Sequence, residues 1–283
     1  MADDNIIKRL AFRLVKRHMA GFTIESALNA VRMLNARKLH ATVTFLNEHV
    51  YDRVKAKYNT NAYVQLVKQL SRLHLDAGIS LRLSQLGYTV DNGFGERNLI
   101  DVLNAAEEGE KQIWIEREDG LPDVPRLYKK LVQKHKHLGV EVPMGYEGVS
   151  KAYNVKVRYY THSARASGKA DDTKSALQEF ARGVAYLADR AGSVTVLGKD
   201  YDVLSKVISS SPGKRNLIFE LPLGYEKKAA KEGKQVRAMS VYVPYGKDWV
   251  PYIISSIAEG RVKKVATALL DGESEKRGNV NAG

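Results

Sequence analysis

Residues 238–259 read AMSVYVPYGKDWVPYIISSIAE, and the order of signals in this stretch decides the fold. Its opening is a short β-branched and aromatic run, a strand from Ser240 to Val243 that Pro244 and Gly246 stop. Lys247 and Asp248 then lead into a helix whose apolar positions, Trp249, Tyr252, Ile253 and Ile257, fall near helical spacing. A strand handing directly to a helix is half of a βαβ unit. In barrels of such units the strand tops and the first turns of the following helices carry the chemistry.

The same alternation runs back through the chain. Strand patterns occur at 39–46, 79–83, 112–116, 140–143, 155–160, 193–198 and 216–221, with an eighth at 239–243. Helical patterns lie between them near 49–75, 96–109, 124–137, 146–152, 173–190, 200–208 and 225–233, and a last one covers 248–270. Eight strand–helix units in about 230 residues predict an α/β protein of the (β/α)8 TIM-type, with a parallel sheet closed into a barrel. The barrel is expected over 39–271. Residues 1–38 are expected to form N-terminal helices packing on it or flanking it, one of them following Gly21 with Thr23 as its cap. The tail GESEKRGNVNAG (272–283) is polar and has no core of its own. No GxGxxG or GxxxxGK[ST] follows a strand, and GFGE (93–96) reads as a turn before a helix.

Composition narrows the function classes. The 283 residues are 44% hydrophobic and 27% charged, which is ordinary for a globular domain. No apolar run approaches the roughly 18 residues of a membrane span, and the N-terminus lacks a signal-peptide pattern. Without cysteine, disulfides, thiolate metal sites and cysteine nucleophiles are excluded. The seven histidines are scattered, and His135 and His137 would point apart on a helix, so no metal site is expected. These features together predict a cytoplasmic protein.

Lysine and arginine outnumber aspartate and glutamate 45 to 32, giving a net charge of +13 and a pI near 9.6. Such an excess favours polyanionic partners. It is clustered: Lys8, Arg9, Arg13, Lys16 and Arg17 form the basic face of an amphipathic helix over 6–19, and Lys214, Arg215, Lys227 and Lys228 gather around the seventh unit. Residues 125–137 add Arg126, Lys129, Lys130, Lys134 and Lys136. No base-reading motif accompanies them. The expected partner is therefore RNA, or a ribonucleoprotein assembly such as the ribosome, held through phosphate backbone. A solvated surface is the alternative for each cluster taken singly.

Several segments carry a resemblance. HMAGFTIESALNAVRMLNARKLHATVTFLNEHV, ISLRLSQLG, IWIERED and VYVPYGKDWVPYIISSIAE resemble the opening, second-strand ("ISLKLTQLG"), third-strand ("VRLDMED") and closing ("YVPYG.DWYPYL.RRLAE") segments of the proline dehydrogenase family. The resemblance implies a flavin-dependent barrel that oxidises proline, with FAD at the strand C-termini. It implies Arg82, Tyr242, Tyr252 and Glu259 as catalytic positions and Arg158 as a flavin contact. The departures are as informative. The family's closing arginine pair, which grips the substrate carboxylate, is Ser255–Ser256 here, and the second-strand lysine is Arg82. The fourth-strand flavin glutamine is replaced by Pro143, and Thr161 and His162 replace a lysine and a glycine of the fifth. The sixth-strand Thr-His becomes Gly198–Lys199. Two serines cannot replace a charge-assisted guanidinium clamp. The sequence therefore favours a barrel that has lost the ancestral reaction and serves as a basic binding protein, with FAD-dependent oxidation of proline or a related secondary amine as the alternative.

Overall fold

Strict alternation sets the architecture. Ala41, Val43 and Phe45, Ile79 and Leu81, Ile113 and Ile115, Val155 and Val157, Val194 and Val196, Phe219 and Leu221, and Val241 and Val243 all join one apolar cluster. Their sequence neighbours Thr42, Ser80, Trp114, Lys156, Thr195, Glu220 and Ser240 project to the opposite face. The computed structural model describes residues 17–47, 50–118, 124–143, 146, 148, 150, 153–158, 170–199, 206–207, 216–227, 239–249 and 252. Within them eight strands form a closed barrel in chain order. They are β1 (His40–Leu46), β2 (Ala77–Leu81), β3 (Ile113–Ile115), β4 (Leu138–Glu141), β5 (Asn154–Arg158), β6 (Ser193–Leu197), β7 (Leu217–Pro222) and β8 (Met239–Gly246). Every neighbouring pair is parallel, and β8 closes on β1 with Val43 opposite Val243. The apolar face points outward under the helices, and the polar face points into the barrel.

Among the described residues the longer helices are α1 (Ile24–Asn35), α2 (Arg53–Arg72), α3 (Asn92–Glu108), α4 (Val124–Leu131) and α5 (Ala170–Arg190). Each of the first three starts at a polar cap: Thr23 accepts from Ser26 N, Asp52 from Lys55 N and Asp91 from Phe94 N. The α1 cap is the one expected from sequence. The α3 cap corrects the reading of GFGE, because Asp91 starts the helix early enough to take in Gly93–Glu96. At 146–152 the described residues Tyr146, Gly148 and Ser150 are not helical. β2 stops at Leu81 rather than 83, because Leu83–Leu86 turn into a 3-10 helix. Gln85 holds that turn through Arg82 N (3.0 Å) and the Phe45 carbonyl (2.6 Å). The basic segment before Arg17 and the tail from 272 lie outside the described residues.

β8 runs through Pro244, where the sequence predicted its end. In a parallel ladder Tyr242 and Pro244 turn their backbone groups to the same side, toward β7. Tyr242 O accepts from Leu223 N there, but β7 ends at Pro222, so the missing proline N–H has no partner to disappoint. The N-terminal segment takes over that edge: Ala20 N donates to Pro244 O (2.9 Å) and Gly246 N to Gly21 O (3.0 Å). Gly246 has φ +131°, and a Cβ there would lie 2.4 Å from Leu46 O. Gly246→Ala is accordingly expected to destabilise the barrel by about 1–3 kcal/mol, measured as a lower midpoint in urea unfolding.

Candidate active site

The barrel interior is ionic because the inward positions of several strands are. Glu116 directly follows β3, and its side chain is 2% exposed. Tyr242 of β8 donates to Glu116 Oε1 at 2.5 Å, and Ser80 of β2 donates to the same oxygen at 2.8 Å. Arg82, just past β2, places Nε 3.1 Å from Oε2, and Arg158 at the end of β5 places Nη2 3.8 Å from it. Arg158 also makes two hydrogen bonds of 3.2 Å to Glu141, the last residue of β4. Deeper, Lys156 and Glu220 are fully buried and joined at 2.8 Å. Ser240 lies 3.4 Å from Glu220 and 3.3 Å from Thr42. Lys156 sits over the Trp114 ring, 4.8 Å from its centroid. Gly139 makes room for that ring, since a Cβ there would lie 2.5 Å from the indole.

Burial alone would raise the Glu116 carboxyl, but Arg82, Arg158, the Tyr242 hydroxyl and Ser80 together outweigh it and hold the group at about 2. Burial, followed by the Glu116 charge, pushes the Tyr242 phenol well above its ordinary value, so Tyr242 is a donor. Tyr252 is likewise raised by burial, and its ring stacks on Tyr242 with centroids 6.2 Å apart. An anion fixed this firmly is a poor general base. It serves to orient Arg82, Arg158 and Tyr242. Met19, Leu46, Leu197, Tyr242 and Tyr252 pack together as a small apolar cluster, with Trp249 against it, at the C-terminal mouth.

Three of the expected site residues, Arg82, Arg158 and Tyr242, thus meet around one carboxylate, and the fourth, Tyr252, stacks on Tyr242. Glu259 and the Ser255–Ser256 pair lie outside the described residues. Of the expected nucleic-acid contacts, Arg17 and Lys227 line one cleft of about 390 Å³ with the Arg37–Glu226 ion pair. Lys8, Arg9, Arg13, Lys16, Lys214, Arg215 and Lys228 lie outside the described residues. Sequence reading missed Glu116, Glu141, Lys156 and Glu220 as site residues. The signal was present: each is an ionisable residue in or beside a run such as IWIE, GVE, VKV or IFE whose alternate positions are apolar. Among the described residues no group of three His, Cys, Asp or Glu could hold a metal ion.

Known proteins share this arrangement of strands. No family model matches the chain. It is 25% identical over 266 residues to proline dehydrogenase 1 of Bacillus subtilis subsp. natto, covering 86% of each chain. It is also 25% identical over 280 residues to the proline dehydrogenase of Deinococcus radiodurans, covering 90% of this chain and 89% of that one. The chain is similar in sequence to these proline dehydrogenases along most of its length. Crystal structures of proline utilization A share the fold. The Bdellovibrio bacteriovorus protein inactivated by N-propargylglycine gives a TM-score of 0.69 at 14% identity, and that from Bradyrhizobium japonicum gives 0.62 at 17%. They match 92% and 91% of this chain, which spans about a third of each of those longer polypeptides.

In the third-strand pattern of the proline dehydrogenases, quoted above, the aspartate stands where this chain has Glu116. Two features of the described residues bear on the flavin that the resemblance implies. Arg158, its expected contact, is engaged by two carboxylates, and Met19 is packed into the mouth.

Glu116→Gln is expected to destabilise the chain by about 3–5 kcal/mol, because two guanidiniums lose a buried counter-charge. The wild-type carboxyl is depressed from 4.5 to about 2, so its contribution is complete above the unfolded value. As pH falls below about 4.5 the unfolded chain takes the proton first, and on the order of 3 kcal/mol is lost by the time pH reaches about 2. Urea unfolding across that range checks both points, with the Gln variant lacking this part of the acid dependence.

Proposed function

We propose that this chain is a proline-dehydrogenase-like barrel that no longer oxidises proline and acts as a basic cytoplasmic binding protein on RNA or a ribonucleoprotein assembly. One observation carries the first half. Among the described residues inside the barrel three cations, Arg82, Lys156 and Arg158, stand against three carboxylates, Glu116, Glu141 and Glu220, each cation within 4 Å of a carboxylate. A site neutralised from within offers an incoming carboxylate no net positive charge. The serines at 255 and 256 supply none either. The second half rests on the +13 charge and its clustering.

The alternative is an FAD-dependent proline dehydrogenase. Arg82, Arg158 and Tyr242 around a carboxylate, with Tyr252 stacked on Tyr242, support it, as do full-length relatives named for that activity. In that reading a bound flavin would supply the hydride acceptor, and Arg82, Arg158, Tyr242 and Tyr252 would bind and orient the substrate.

The two readings differ in an absorbance spectrum of the protein purified at low salt from its own cells. The binding reading expects no paired near-ultraviolet and blue bands, excess nucleic-acid absorbance that high salt strips away, and no dye reduction with proline. Flavin bands with proline-dependent dye reduction would overturn it. Ser255→Arg with Ser256→Arg is expected to leave the protein without proline oxidation, and activity in that double variant would return the barrel to the enzyme class.

A further inference from the structure

On the outside of the barrel, α1 and α2 leave a cleft of about 710 Å³ between them, floored by Ile24, Leu28 and Leu73. Arg32, Lys68 and Arg72 line it, with Glu25 as the one carboxylate. Glu25 belongs to the first turn of α1, where its own backbone N–H and the Thr23 side chain bond it. Arg32 bonds the neutral Asn29 at 2.7 Å. Among the described residues no carboxylate lies within ion-pair distance of Arg32, Lys68 or Arg72.

The opposite flank of α2 is built differently. There Arg53 faces Asp91 at 3.6 Å and Lys57 faces Asp101 at 2.7 Å, so the cations toward α3 are neutralised. The contrast lies within one helix: paired charges on one side, unneutralised ones on the other.

The same outer stripe also carries exposed rings. At about 3.6 residues per turn, Val54, Tyr58, Gln65, Lys68 and Arg72 fall within an arc of about 80° and span about 27 Å. Tyr58 is 62% exposed, and Tyr51, just before the helix, is 81% exposed. Phe22, immediately before the α1 cap, is 44% exposed. A surface that pairs uncompensated cations with solvent-facing aromatic faces suits a single-stranded nucleic acid, phosphates on the first and bases on the second. A duplex would offer the phosphates and hide the bases.

We infer that the α1–α2 face binds single-stranded RNA, with Arg32, Lys68 and Arg72 on the phosphates and Tyr51 and Tyr58 stacking on bases. This deepens the RNA-binding reading above and rests on it. It uses residues other than those that the sequence nominated for RNA.

The test is fluorescence anisotropy of the full chain with a labelled oligouridylate, over a series of potassium chloride concentrations. Arg32→Gln, Lys68→Gln and Arg72→Gln combined are expected to lower the slope of log affinity against log salt by about 2, at about 0.7 per lost phosphate contact. Tyr51→Ala with Tyr58→Ala is expected to weaken binding about tenfold or more with the slope unchanged. All these side chains are solvent-facing, and unchanged thermal midpoints confirm that the variants fold. Wild-type affinity and slope in the triple variant would overturn this site while leaving RNA binding elsewhere on the chain intact. No salt-dependent binding by the wild type would overturn both the site and the RNA reading. Equal affinity for a duplex of the same length, or self-association abolished by Tyr58→Ala in sedimentation without RNA binding, would also overturn the assignment.

Discussion

Among the described residues six charged side chains converge inside one barrel, and each finds its counter-charge on or beside another strand. This pairing ties the structure together. Lys156 on β5 reaches Glu220 on β7, and Glu116 past β3 gathers Arg82, Arg158 and Tyr242 from β2, β5 and β8. A slip of one residue in any of these strands would turn a charge outward into the apolar layer under the helices and leave its partner buried alone. The outer apolar positions tolerate exchange of one branched side chain for another. The inner ones do not, because they are matched by sign and reach.

The same constraint shapes the mouth. β8 outruns β7, and the exposed edge is taken by the backbone of residues 20 and 21, so the N-terminal segment completes the sheet locally. Its side chains then have only the mouth to enter. Met19 packs against Tyr242 and Tyr252, and His18 bonds the Leu223 carbonyl at 2.9 Å. The segment that completes the edge thus adds Met19 to the end of the barrel at which enzymes of this architecture work. A self-neutralised interior and an edge-completing N-terminal segment meet at this end. Both turn attention from the interior to the outer surface.

That surface shows where the charge excess is unneutralised. α4 carries Lys130, but Lys130 is paired with Glu96, and Arg37 is paired with Glu226. Clustering in sequence is thus a poor guide to free positive charge, since helical neighbours in space supply the acids. The α1–α2 cleft has little such clustering in sequence, yet among the described residues none of its three cations lies within ion-pair distance of a carboxylate. Packing decides which lysines and arginines still act as cations toward solvent.

The sequence by itself determined the barrel. Eight apolar alternations, each followed by a helical pattern, leave few other ways to bury both sides of a parallel sheet, and polar caps such as Thr23 mark where helices begin. Its resemblance to the proline dehydrogenase family also nominated Arg82, Arg158, Tyr242 and Tyr252. It could not find their common partner. Glu116 and Tyr242 are 126 residues apart in the chain and 2.5 Å apart in space. Alternation says which face of a strand a side chain takes. It does not say which strand stands across the barrel, how far an arginine reaches, or that Pro244 is harmless where β7 has already ended. Those outcomes depend on closure of the sheet, and only the tertiary structure decided them.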